Sequence, residues 1–379
     1  MQKSWRPWRS LTERLLCWRD RVLSDPGFQR RSLRWFFARP IARRRMRALF
    51  DLCSGFVYSQ VLLACVRLDL FETLGRSPRT ANELALKLEL PVDPLSTLLT
   101  AAESLGLVET RGDRFGLGPL GAALRGNPAV AMMIEHHAKL YADLDDPVSL
   151  IRDPSRSTQL RQFWAYAASE DPSELDTEST RGYSELMAAS QELIADQVLR
   201  AYPVHRHRRL LDVGGGSGAF ALAALEQASD LQVEMFDLPP VAGLARDRFE
   251  RKGFASRAQA IGGDFRFDAL PEGCDLVSLV RIVHDHDDQP VERILKAIRR
   301  AIAPDGVLLI AEPMLGTRGA EPVSAAYFGL YLLAMGQGRP RTPDEIRVLL
   351  RRAGFSNFRM HRTTAPLLAR VITARPAKN

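Results

Sequence analysis

Between Arg209 and Glu312 the sequence alternates short apolar runs with helical ones, and this alternation constrains the fold more than any other feature. LLDV (210–213), LQVEMF (231–236), QAIGG (259–263), CDLVSLVRIV (274–283) and VLLIAE (307–312) read as strands. Helices fall between them, notably Ala219–Gln227 and Val291–Ala303, the latter ahead of the turn Pro304-Asp305-Gly306. Short apolar strands separated by helices predict a parallel sheet covered on both faces, an α/β domain. A helix through YFGLYLLAM, another from Pro343 to Ala353 and the strand-like pieces SNFRMHR and ARVITAR follow.

The preceding chain has a different texture. From about Arg47 to Pro128 it reads as mainly helical, with a short helix after Thr80 and a second after the Pro91 to Pro94 turn. Leu95, Leu98, Leu99, Ala102 and Leu105 recur at helical spacing, and LVETRGDRFGL reads as a hairpin turning at Arg111-Gly112-Asp113. Helix, turn, helix and hairpin predict a winged helix. Such a module can read DNA, but LSTLLTAAESL (95–105) offers a groove no basic residue, so packing is expected and nucleic-acid binding is not. The expected organisation is an extension (1–47), a winged-helix domain (48–128), a helical connector (129–205) with an acid-rich stretch near Ser169 to Ser179, and the α/β domain (206–379).

The formal charge of +7 belongs to the extension: Met1 to Arg47 holds 14 Lys/Arg against 3 Asp/Glu, leaving the rest of the chain net acidic. Four of the five tryptophans (Trp5, Trp8, Trp18, Trp35) lie there too. Arginine and tryptophan together suit a lipid headgroup layer, giving peripheral membrane association, or a basic helical arm on a partner subunit; both readings stand. The longest apolar stretch, Phe56 to Gly75, is broken by Arg67 and Asp69, and the N-terminus lacks an uninterrupted apolar core, so neither a membrane span nor a signal peptide is expected. Four scattered cysteines without a CxxC pair predict a reducing, cytoplasmic setting.

DVGGGSGAF joins the first α/β strand to its helix. Glycines there admit positive φ and let a ligand touch bare backbone. The spacing of Gly214, Gly216 and Gly218 departs from the G-x-G-x-x-G dinucleotide pattern, so it points to a nucleotide-like ligand more than to NAD. Asp237, 19 residues after Gly218 at the next strand tip, suits ribose hydroxyls. At the third tip, Asp264 and Phe265 in GGDFR suit an adenine, the carboxylate accepting its amine and the ring packing on the base. The alternative is that both acids cap helices or turns. The fourth strand runs into VRIVHDHDDQP, with His284 just past the edge where open α/β sheets do chemistry and where neutral imidazole can accept a proton. His284, Asp285, His286 and Asp287 could also be a metal cluster, but no further ligand follows at a supportive spacing and no metal is expected.

DVGGGSG, FDLP, GDF, RIVHDHDD and LLIAEPML, in this order, resemble the plant-type and acetylserotonin-type O-methyltransferases, with the resemblance running from about Arg47 to the C-terminus. It implies a Rossmann-like class I methyltransferase fold with a seven-stranded sheet, an N-terminal winged-helix domain that pairs two subunits into a homodimer, and S-adenosylmethionine as cofactor. It implies Gly214 and Gly216 as backbone contacts to the cofactor's amino acid portion, Asp237 as the ribose ligand, and Gly263, Asp264 and Phe265 as the adenine cradle. Arg281 matches a cofactor-contact position, His284 the catalytic base, and Glu312 the acid that holds this base. Two departures stand out. His286 replaces the tryptophan of the family's HDW, and GQGRPRT offers Pro340 where plant members carry a second supporting acid, leaving Glu312 alone to hold the histidine.

GFVYSQVLLACVRLDLF, GNPAVAMMIEHHAKLYADL and YFGLYLLAMGQGRPRTPDEI further resemble the bacterial carotenoid 1-hydroxy O-methyltransferases. That implies a hydrophobic small-molecule substrate, with Met132 to Leu144 and Tyr327 to Gly336 as pocket walls or as plain core. The rival readings are a bacteriochlorophyllide C-methyltransferase, a methyltransferase of soluble phenols, and a winged-helix DNA-binding regulator.

Overall fold

The computed structural model describes residues 11–164 and 177–378, and of 177–185 the backbone only. Trp5, Trp8 and positions 169–176 of the acid-rich stretch lie outside the described residues. The chain divides into two compact units, one ending at Arg125 and one beginning at Gly126.

The first unit starts with helices Leu11–Ser24, Pro26–Arg34 and Arg39–Arg67. The Asp25 side chain accepts from the Phe28 amide and Pro26 opens the second helix, a favoured pairing of cap and first residue. The third helix runs unbroken through position 47, so the expected end of the extension falls inside it. Neither of the first two helices buries a residue. Helices Leu70–Arg76, Ala81–Leu88 and Val92–Ser104 follow, then an antiparallel hairpin of β1 (Val108–Arg111) and β2 (Arg114–Leu117). Thr80 and Glu83 form a reciprocal capping box that starts the short helix after Thr80. Leu95, Leu99 and Ala102 are buried against Leu70, Phe71, Leu74 and Leu84, so the helical spacing read in the sequence is the core face of this unit.

The second unit is built on a seven-stranded sheet: β3 (Arg209–Val213), β4 (Gln232–Asp237), β5 (Ala258–Gly262), β6 (Leu276–Val280), β7 (Val307–Glu312), β8 (Phe355–His361) and β9 (Arg370–Pro376). Its order is β5-β4-β3-β6-β7-β9-β8, with β3 to β7 parallel and β9 antiparallel to both β7 and β8. Two apolar layers cover it. Phe220, Leu225 and Phe249 pack with Leu210, Val233 and Met235 on one face; Ile294, Ile298 and Leu349 pack with Val277, Leu279 and Ile310 on the other. Every residue of β6 and β7 is buried, as expected for central strands covered on both sides.

Two features depart from the sequence reading. The fourth α/β strand ends at Val280 instead of Val283, because Arg281 adopts φ +62° and the chain then makes a tight 3₁₀ turn over Val283–Asp285. The helix through YFGLYLLAM is entered by a π-helical turn, Pro322–Tyr327, before the α-helix Phe328–Met335. A π-turn holds an extra residue per hydrogen-bonded ring and leaves no periodic signature in so short a segment.

Candidate active site

The carboxyl ends of β3, β4 and β6, with the segment after β5, open into one cleft of about 960 Å³, part of it continuous with solvent. Gly214, Gly216, Asp237, Asp264, Phe265 and Arg281 line it. Gly263, His284 and Glu312 lie off its wall, whereas Asp285 and His286 are on it. Sequence reasoning missed the contributions of Trp164, Met187 and Gln191, which precede the first strand of the sheet and carry no motif.

Asp237 organises the glycine loop. One carboxylate oxygen accepts from the Gly216 amide at 2.7 Å and the other from the Leu238 amide at 2.7 Å. Gly216 has φ +60°, a left-handed conformation that favours glycine, and a Cβ built there would meet nothing within 4 Å. That bare backbone therefore borders open space. Burial pushes the Asp237 carboxyl up to about 6, against the two amide bonds and with help from nearby Asp264. One strand over, buried Asp212 accepts from Ser278 Oγ at 2.6 Å, while its second oxygen has no hydrogen-bond partner. Burial, and then the charge of Asp237, raise Asp212 to about 7. Neighbouring carboxyls that hold their protons this late mark a site short of positive charge.

Asp264 is bound by its neighbour Arg266, whose Nε lies 2.9 and 3.0 Å from its two oxygens and whose backbone amide donates at 2.9 Å. The Phe265 ring meets His286 edge-on at 5.6 Å. His286 is 7% exposed and burial pushes its imidazole down to about 4, so at neutral pH it is an uncharged aromatic ring. This explains physically how a histidine stands in the position of the family's tryptophan. Arg281, held in its positive-φ conformation, donates from Nη1 to Ser190 Oγ at 2.8 Å.

His284 is buried at 3% exposure, with a carboxylate oxygen near each ring nitrogen. The fully buried Glu312 accepts from the His284 backbone amide at 3.0 Å and lies 3.4 Å from Nδ1 with the same oxygen. Asp285 Oδ1 lies 3.1 Å from Nε2. Burial acts to lower the imidazole, but Asp285 and then Glu312 outweigh it and the net shift is upward from 6.5. The expectation that Glu312 alone holds the histidine is thus corrected: a second carboxylate engages the ring, from the adjacent residue and not from the Pro340 stretch. Beside it the Phe328 ring sits edge-on at 5.7 Å.

The two stretches read as pocket walls or core pack on one another. His136 Nε2 and Tyr331 Oη are 2.6 Å apart, Trp164 Nε1 donates to the same hydroxyl at 2.9 Å, and His137 Nε2 pairs with Tyr327 Oη at 2.9 Å. Around them Leu150, Leu160, Leu332 and Met335 form an apolar cluster. Among the described residues no set of three or more His, Cys, Asp or Glu converges as metal ligands. The cleft fits a nucleoside bearing a cationic group: it offers a glycine cradle, an aromatic ring, and Asp237, whose raised affinity for protons a positive charge would relieve.

The O-methyltransferase domain family matches residues 141–356, and the O-methyltransferase dimerisation domain matches residues 50–125. Demethylspheroidene O-methyltransferase of Rhodobacter capsulatus is 40% identical over 337 residues, covering 88% of this chain and 83% of its own length. The enzyme of that name from Cereibacter sphaeroides is 38% identical over 356 residues, covering 93% of both chains. The crystal structure of human N-acetylserotonin methyltransferase in complex with S-adenosylmethionine superposes with a TM-score of 0.73 at 25% identity, covering 88% of this chain and 98% of that one. Two matched domains and relatives of this identity over most of its length show that the chain belongs to the O-methyltransferase family, enzymes that use S-adenosylmethionine.

Proposed function

We propose that this enzyme methylates the tertiary 1-hydroxyl of an acyclic hydroxycarotenoid of the demethylspheroidene type, with His284 as general base. The observation that carries this reading is the 40% and 38% identity to two demethylspheroidene O-methyltransferases over 88% and 93% of the chain. Bound in the cleft, S-adenosylmethionine supplies an electrophilic methyl group. On this reading Asp237 accepts the ribose hydroxyls, Gly263, Asp264 and Phe265 hold the adenine, and Gly214, Gly216 and Arg281 contact the remainder. His284 takes the proton of the acceptor hydroxyl at Nε2, the ring nitrogen that Glu312 does not hold. A tertiary alcohol is far less acidic than imidazolium, so proton removal accompanies bond formation at oxygen and does not precede it. Asp285 and Glu312 stabilise the imidazolium that results, and the apolar cluster around Leu332 and Met335 keeps water away from a greasy acceptor. The domain boundaries that serve this reading are an extension to 47, a dimerising domain to 128, a substrate-side connector to 205 and a catalytic domain beyond.

The same reading gives the extension a task. Leu11, Leu15, Trp18, Trp35, Phe36 and Phe37 are all more than half exposed, among arginines that outnumber acids. A second copy of so basic an arm would repel it, whereas an anionic lipid surface neutralises it and accepts its aromatic rings. The enzyme would then work as a homodimer on the cytoplasmic face of the inner or intracytoplasmic membrane, where polyenes dissolve.

Incubation with labelled S-adenosylmethionine and demethylspheroidene, a bacteriochlorophyllide and a catechol tests the substrate class; methylation confined to the catechol or the chlorin would sink it. His284→Ala is expected to lower kcat by about a thousandfold with cofactor Kd within about threefold. Equal loss of both would make the histidine structural. Because its pKa is raised and the base must be neutral, wild-type kcat should fall as pH drops through a midpoint above 6.5, and Asp285→Asn should move that midpoint down. Asp237→Asn is expected to weaken S-adenosylmethionine about 10- to 100-fold, as for loss of a charge-assisted hydrogen bond. Wild-type affinity should rise with pH through about 6 and the variant should lose that step, as titration calorimetry can measure. A chain starting at Met46 should lose sedimentation with anionic vesicles; retention of it, or loss of dimers instead, would assign the arm to a subunit contact.

A further inference from the structure

Arg341 is the largest side chain among the fully buried ones described, with 0% exposure. A guanidinium without solvent needs its hydrogens matched and its charge countered. Nε and Nη2 donate to Asp288 Oδ1 at 2.9 and 2.7 Å, which supplies the counter-charge. Nη1 donates to the Val283 carbonyl at 2.6 Å and Nη2 to the His286 carbonyl at 2.7 Å. These two acceptors straddle His284. Gly338, from the same GQGRPRT stretch, closes the turn from another side: its φ is +82°, its amide donates to Asp287 Oδ1 at 3.2 Å, and a Cβ there would lie 2.4 Å from the His284 carbonyl oxygen. The 283–286 turn lies beyond the β6 ladder and after the positive-φ break at Arg281, so parallel-sheet pairing does not set its geometry.

We propose that Arg341 is a positioning residue of methyl transfer, clamping the carbonyls of Val283 and His286 so that the His284 ring stays between Glu312 and Asp285. The proposal rests on His284 being the base. A planar guanidinium can reach two carbonyls and a carboxylate at once; a lysine ammonium is a point donor and cannot span them. Arg339 tightens the arrangement by donating to Asp288 Oδ2 at 3.0 Å and to Glu345 at 2.7 Å. The stretch that lacks a supporting acid at Pro340 therefore supports the base through its backbone.

The test is a double-mutant cycle on the full chain with Arg341→Lys, His284→Ala and both, using S-adenosylmethionine and demethylspheroidene in detergent micelles. Arg341→Lys is expected to lower kcat about 100-fold, the scale of a small misplacement of a catalytic group, with acceptor KM and cofactor Kd within about threefold. In the His284→Ala background the same substitution should change kcat by less than about twofold, because its effect passes through the ring that is gone. Equal factors in both backgrounds, or cofactor affinity falling as far as kcat, would overturn the proposal. If Arg341→Lys does not fold, Asp288→Asn replaces it in the cycle with the same expectation and the same overturning result. Wild-type turnover in His284→Ala alone would remove the base reading and this proposal with it. Collapse there beside an unchanged Arg341→Lys would remove only this proposal.

Discussion

The parallel register of β3 with β4 on one side and β6 on the other is the constraint from which the site follows. Asp212 pairs with Met235 and Ser278, and Val213 with Phe236, so the ends of three strands stop at one level and their following residues share one edge. Parallel pairing requires each return to cross over a face of the sheet, and the crossover helices bury both faces. Polar side chains are then left one place to gather, the uncovered carboxyl edge. Asp237, Asp264, Arg281 and the His284 turn meet there because the strands are in step, although 47 positions separate Asp237 from His284 in sequence.

The edge is electrostatically expensive. Asp212 and Glu312 are each buried with one oxygen lacking a partner, and Asp237 is crowded by Asp264. Such an arrangement weakens the empty protein, since unpaired buried acids are costly, and it tightens the grip on any cation that enters. On the other side of the wall the same device is used differently: two carboxylates flank one imidazole and favour its protonated form. On the proposed reading of His284 as a base, that bias favours taking a proton from a weak acid, because the charge it acquires is already countered.

Much of this was legible. Apolar runs against helical spacing mark the five parallel strands and two further strand-like pieces, the resemblance implies a sheet of seven, and the acids after β4 and β5 stand out because strand tips are where ligands bind. The positive φ at Arg281 was hidden, since arginine carries no signal for a left-handed conformation, and the strand was read three residues too long. Asp285 has no sequence signal as a ring neighbour; only the 3₁₀ turn brings its carboxylate near Nε2. Arg341 carries no signal in the sequence that sets it apart from other arginines. Its burial depends on Asp288, 53 positions earlier, a pairing that no local pattern reveals.

The π-helical turn at Pro322–Tyr327 bears on how such an enzyme could change acceptors. It carries an additional residue relative to α-helix immediately before Phe328, which faces His284, and Tyr331, which meets His136. Such a turn absorbs the additional residue locally, so the α-helix beyond it keeps its phase and Phe328 and Tyr331 keep the faces they present. The cofactor cleft draws no wall from this helix. A change of length at this turn is thus absorbed before it reaches the ring beside His284, and a change of acceptor has to come from side chains and not from helix phase.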